Sequence, residues 1–148
     1  MRRCLLNQHL STVMDCDVKV RTEGDVPHQD AGAVSLVSTA TLRWCAERWG
    51  VDSDPRRLRV NIVFEADEPF VEESWTGCTV SVGSVRLHIV GPATRCRMID
   101  IAQDGVTPRT KWLKPLTSER DMALAMYAQV ITPGECAVDD RLTLTTTA

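Results

Sequence analysis

Cys96 stands between two arginines in PATRCRMIDIAQDG, residues 92–105, just after a Gly-Pro pair. A thiolate is the reactive form of cysteine, and neighbouring cations lower a thiol's pKa, so Arg95 and Arg97 favour a reactive residue here. Strand geometry sets a condition on that reading. Side chains alternate along a strand, so in regular β-structure both arginines would point away from Cys96. Activation therefore requires Cys96 in a loop or at a strand's first residue, and Gly91-Pro92 suits loop geometry there. The competing reading is a packed cysteine behaving as a small hydrophobe. The residues alone leave both open.

A second group lies in PRRLRVN, residues 55–61. Arg57, Arg59 and Asn61 share a parity, so on a strand they would project from one face. Two guanidinium forks beside an amide suit a phosphate or a carboxylate, although a solvated strand face has the same pattern. His9, His28 and His88 are scattered, and none stands at a spacing that suggests a hydrolytic triad. The acidic run EADEPFVEES reads as a solvated loop anchored by Phe70 and Trp75.

The other cysteines isolate Cys96. They stand at 4, 16, 45, 78 and 136, and no pair has the C-x-x-C spacing of a zinc knuckle or a redox couple. Cys45 falls on the apolar stripe of an expected helix, and Cys78 and Cys136 lie in strand-like runs. Nothing specific supports Cys4 or Cys16. The start, MRRCLLNQHL, has too short an apolar run for a secretory signal, and no stretch approaches membrane-spanning length. A cytoplasmic protein without disulfides is expected.

A chain of 148 residues makes one domain's worth of core, expected to span 1–148, and its 43% hydrophobic and 25% charged residues are ordinary for a globular protein. A net charge of −3 gives no general attraction to nucleic acid or anionic lipid. Neither nucleic acid nor membrane is expected as a partner.

The elements that must position these side chains follow from periodicity and turn residues. Residues 1–30 are poorly defined, with a short strand expected over Asp17 to Arg21 and a loop in EGDVPHQDAG. STATLRWCAERWG predicts a helix capped by Ser38 or Thr39 and ended by Gly50. LRVNIVFE, 58–65, is expected as a strand. CTVSVGSVRLHIV predicts a hairpin through a Gly83-Ser84 II′ turn, its second strand stopping at Gly91-Pro92. TSERDMAL, 117–124, suggests a short helix, AMYAQVI a strand and DRLTLTT a last strand. Many short strands with one or two helices predict a mainly β fold, a closed or nearly closed barrel.

Taken in order, these blocks resemble the MOSC domain, found at the C-terminus of molybdenum cofactor sulfurases, in stand-alone bacterial proteins and in amidoxime-reducing enzymes. The resemblance runs from about Val34 to Leu144. VSLVSTATL is similar to the family's entry segment and RRLRVNIV to its R-R-F-R-P-N-I-V block. EPFVEESWTGCTVSVGSVRLHIV resembles the acidic-plus-Trp stretch leading into a G-x-V-x-L hairpin. RCRM resembles the segment holding the family cysteine, and RDMALAMYAQVITPGECAVDD the closing block. In that block Asp139 stands where the family has glycine, which suits a residue tolerant of left-handed geometry.

The resemblance implies a mostly β barrel that binds a molybdenum pyranopterin or carries sulfur as a cysteine persulfide. Cys96 would be the molybdenum ligand or persulfide carrier. Arg57, Arg59 and Asn61 would meet the cofactor's phosphate region, and Thr94 and Arg95 would line the same pocket. Ser38 or Thr39 and Tyr127 would join them. The implied activity is sulfur transfer, or two-electron reduction of an N- or S-oxygenated small molecule fed by a separate electron or sulfur donor protein. A binding module without turnover, or a partner-interaction module with a degenerate site, stays open beside it. Nothing suggests a pyridoxal-phosphate site.

Overall fold

The computed structural model describes residues 2–22, 24, 32–102, 105–106 and 111–145. The chain opens with helix α1 (Arg2–Met14), where no element was expected. Its apolar residues do not gather on one face, and Leu5, Leu6, Val13 and Met14 are exposed, so the helical period leaves little trace in the pattern. The strand expected over Asp17 to Arg21 does not form. There the N–H groups of Val18 and Val20 donate to Ser11 Oγ at 2.8 Å and Asn7 Oδ1 at 2.9 Å. Side chains of α1 thus take donors that a sheet ladder would have used. Most of EGDVPHQDAG lies outside the described residues.

The strands described from Val34 onward build one sheet. Strand β1 (Val34–Ser38) leads into helix α2 (Thr39–Trp49), then β2 (Ile62–Phe64), β3 (Thr79–Val82) and β4 (Val85–Thr94). Helix α3 (Leu113–Arg120), β5 (Ala123–Thr132) and β6 (Leu142–Thr145) complete it. Helix α2 has the caps that its sequence predicts. Ser38 Oγ accepts from Thr41 N, and Gly50 closes the helix at a left-handed φ of 63°. The β3–β4 hairpin pairs Val82 with Val85, with Gly83 at φ 55° and Ser84 at an ordinary negative φ, as a II′ turn requires.

The strand order is β2-β1-β5-β4-β3-β6. Among the described strands only β1 and β2 run parallel, because α2 carries the chain across between them; the other neighbouring pairs are antiparallel. The strands make a curled half-barrel whose edges, β2 and β6, do not pair. This corrects the expected closure. Two cores cover the sheet's two faces. Val37, Cys45, Ile99, Trp112, Leu116 and Leu124 pack together with the helices, while Leu36, Trp75, Val80, Leu87, Ile89 and Met126 fill the other face.

Three boundaries differ from the sequence reading, each for a local reason. Strand β4 runs through Gly91-Pro92 to Thr94, taking up the disturbance as register shifts between Ile89 and Gly91 and between Pro92 and Thr94. The strand expected over 58–65 shrinks to Ile62–Phe64, because Asp54 caps a 3-10 turn at Pro55–Leu58. The helix expected over 117–124 begins at Leu113 and ends at Arg120, stopped by Asp121 and Met122 at φ 50° and 60°. Asp139 has a φ of 74°, the left-handed geometry expected of it.

Candidate functional site

Cys96 lies just beyond the end of β4 and opens the 3-10 turn Arg97–Asp100, with φ −121° and ψ −175°. It is exposed, as is Thr94 before it. The sheet ladder has ended by then, so alternation no longer separates Cys96 from Arg95. A cavity of about 340 Å³ opens beside it, lined by Arg57, Leu58, Arg59 and Asn61 from one segment and by Thr94, Arg95 and Cys96 from another. Tyr127 from β5 and Gly32 and Ser35 at the entry to β1 close the wall. Seven of the nine expected site residues meet here.

Arg95 is bonded to three backbone carbonyls behind this wall. Its Nε donates to the Leu124 carbonyl at 2.7 Å and its Nη1 to the Leu58 carbonyl at 2.9 Å, while its backbone N–H donates to Met122 O at 2.7 Å. Its Nη2 is buried with no hydrogen-bond partner. Burial lowers the Arg95 pKa, opposed by Tyr127 and Cys96, but a guanidinium stays protonated under such pressure. A buried donor left unmatched costs about 1–3 kcal/mol, recovered when an acceptor arrives. An anionic oxygen brought within its reach would meet that need.

Arg57 and Arg59 do not share a strand face, which corrects the parity argument. Arg57 sits inside the 3-10 turn with its side chain fully buried, and its Nη2 lies 2.6 Å from Asp52 Oδ2. Arg57 Nε also donates to Asp52 Oδ1 at 2.7 Å, and Nη1 reaches the Ile99 carbonyl at 3.5 Å. Its charge is matched inside the protein, and it ties this turn to the one that Cys96 opens. Arg59 caps the turn at a left-handed φ of 52° and is exposed. Asn61 Oδ1 accepts from Ser35 N at 2.9 Å and Ser35 Oγ at 3.1 Å, pinning the segment to the start of β1.

Ser38 and Thr39 lie elsewhere. Ser38 is buried as the α2 cap, where its Oγ donates to Thr41 Oγ1 at 2.8 Å. Thr39 borders a different groove. The acidic run is not simply solvated. Glu72 is 1% exposed, and its Oε1 accepts from Ser38 N at 3.1 Å. Glu73 pairs with Arg120, whose guanidinium lies 3.9 Å from the Phe70 ring centre.

Sequence reasoning missed Asp52, Met98 and Ser35 at this site. Asp52 is read easily as belonging to a charged turn, since only the fold brings Arg57 and the Trp112 indole onto one carboxylate. Asp100 acts similarly in the turn that Cys96 opens, accepting from Trp112 N at 2.7 Å and Leu113 N at 3.2 Å. Of the other cysteines, Cys45 is fully buried as expected, and burial pushes its thiol up to about 12. Cys136, expected in a strand, lies in the exposed loop between β5 and β6.

The sequence model of the MOSC domain family matches residues 23–143. The chain belongs to the MOSC domain family. It is 34% identical over 65 residues to the molybdenum cofactor sulfurase of Danio rerio, a match covering 44% of this chain and 8% of that one. The human molybdenum cofactor sulfurase is 43% identical over 47 residues, 32% of this chain and 5% of its own length. The Arabidopsis thaliana enzyme is 33% identical over 78 residues, covering 52% and 8%. These matches span only a small fraction of the sulfurases' length. Among solved structures, YiiM from Geobacillus stearothermophilus superposes with a TM-score of 0.59 at 14% identity, over 78% of this chain and 55% of that one. That likeness supports the half-barrel fold.

Proposed function

We propose that the protein holds a molybdenum pyranopterin against Cys96 and serves in sulfur transfer, with Cys96 as the metal's thiolate ligand or as the carrier of a persulfide sulfur. The observation that carries this reading is the pairing of an exposed cysteine with a buried, unmatched guanidinium nitrogen on one cavity wall. A thiolate is a soft donor suited to a thiophilic metal, and Arg95 Nη2 awaits an anionic acceptor. Arg59, with no ion pair among the described residues, adds a second cation at the mouth. Asn61, Thr94 and Tyr127 supply polar groups around it.

Among the described residues, no three His, Cys, Asp or Glu side chains come together to hold a metal ion. A metal at Cys96 would therefore bring most of its ligands on an organic cofactor, as a pterin-held molybdenum does. When bound, that group supplies a centre able to exchange sulfur or oxygen and two electrons. The chain's own role is to present the Cys96 sulfur, fix the anionic end through Arg95 and Arg59, and hold the turn below rigid through Arg57 and Asp52. As a sulfur carrier, the Cys96 thiolate would attack the outer sulfur of a donor persulfide, releasing the donor's thiolate as the new S–S bond forms. The likeness to sulfurases favours sulfur transfer over reduction of N- or S-oxygenated substrates.

Metal analysis of protein purified from a host that makes the cofactor tests this reading. Stoichiometric molybdenum that is lost in Cys96→Ala supports a metal ligand. A mass gain of about 32 Da, one sulfur atom, on the Cys96 peptide supports the carrier. Neither signal, together with a Cys96 that resists iodoacetamide in the folded protein, overturns both.

A further inference from the structure

The two strand edges left by the open barrel face a common groove. Its volume is about 1180 Å³, above the usual range of small-ligand pockets, about 300–1,000 Å³. Ile62 and Phe64 of β2 line one side, and Leu142 and Leu144 of β6 line the other. Trp75 at its base belongs to the core that fills that face of the sheet. Both strands are outermost in the sheet, so each turns backbone N–H and C=O groups toward a position where a neighbouring strand would lie.

The rim carries a charge signal. Among the described residues, Glu65, Asp139 and Asp140 border the groove against a single cation, Arg141. Glu65 and Asp139 are exposed and have no ion pair among the described residues. A second copy of this chain would bring the same acids to the same rim, and like charges placed together oppose docking. An extended partner segment with alternating apolar and basic residues matches the site on both counts. Its apolar side chains would meet Phe64, Trp75 and Leu144, and its Lys or Arg residues would meet the rim. Asn61 borders both this groove and the Cys96 cavity, so the docked segment lies next to the proposed site without depending on what that site holds.

We propose that this groove is a docking site for an extended, basic segment of a partner protein, which adds to the sheet at its β2 and β6 edges. The strands are three and four residues long, so pairing extends over roughly 10–13 Å of backbone.

The test uses capped octapeptides of alternating valine and lysine, or of alternating valine and glutamate, added to the full chain while amide exchange is followed residue by residue. The expected result is that the lysine peptide slows exchange in Ile62–Phe64 and Leu142–Thr145 by at least about fivefold, and that the glutamate peptide does not. Glu65→Lys and Asp139→Asn together should weaken the lysine peptide's binding by about threefold or more, with the far-UV circular dichroism unchanged. Three results would each overturn the proposal. The lysine peptide leaves those amides unprotected, both peptides protect them equally, or sedimentation shows that the same amides are protected by self-association.

Discussion

Cys96 and Cys45 show how place decides what one side chain can do. Cys45 is wholly buried among apolar groups, and desolvation raises its pKa from 9.0 to about 12; Cys96 is exposed on a cavity wall. Iodoacetamide at pH 8 is expected to label Cys96 in the folded protein and to reach Cys45 only after unfolding, as peptide mass mapping would show. The raised pKa of Cys45 also fixes a pH dependence. The folded state favours its neutral thiol, so this contribution to stability is complete below the unfolded value and is lost as pH climbs from about 9 toward 12. Cys45→Ala should flatten the alkaline fall of the melting temperature over that window, even though it lowers stability at neutral pH through lost packing. Arg57 makes the same point for cations. Asp52 is about a third exposed and Arg57 is not exposed at all, so Asp52→Asn leaves a buried guanidinium only partly matched. A loss of about 1–3 kcal/mol is expected in urea unfolding.

Elements are set by their ends. Ser38 is the α2 cap, and Ser38→Ala should cost about 0.5–2 kcal/mol while leaving the rate of Cys96 alkylation unchanged. A large fall in that rate would instead connect Ser38 to the cavity. Asp121 ends α3 at a φ of 50°, with its N–H donating to the Leu116 carbonyl. Glycine reaches that geometry without the Cβ penalty, so Asp121→Gly is expected to raise stability by about 0.5–1 kcal/mol in thermal unfolding. The hairpin and α2 were legible because Gly83-Ser84 and Ser38…Gly50 carry local instructions. Helix α1 was not, since Leu5, Leu6, Val13 and Met14 do not mark a buried face. Strand β4 outran its expected end because register shifts let a sheet accommodate Gly91-Pro92, which local rules read as a stop.

For the whole molecule, burial is uneven along the chain. Strand β5 lies between β1 and β4 and contributes Leu124, Met126 and Ala128, all fully buried. Helix α1 leaves Leu5, Leu6, Val13 and Met14 exposed, and a helix of 13 residues is marginal without packing. Amide exchange should therefore be slowest in β5 and fastest in α1 among the regular elements. No helix among the described residues is long and apolar enough to cross a membrane.

Neighbouring residues are enough to determine the local pieces. They mark the caps of α2, the β3–β4 turn and Cys96 as the cysteine that stands apart, because each depends on groups a few positions away. The order of RRLRVNIV, RCRM and the closing block also points to the MOSC family before any coordinate. Folding alone decides that Arg57 is matched by Asp52, that Ser38 caps a helix away from the cavity, that Glu72 is buried and that Arg95 keeps one nitrogen free. It also decides that the barrel stays open. These outcomes depend on which distant groups share a small, poorly hydrated space, where one carboxylate or carbonyl settles whether a charge is spent on the fold or left for a ligand.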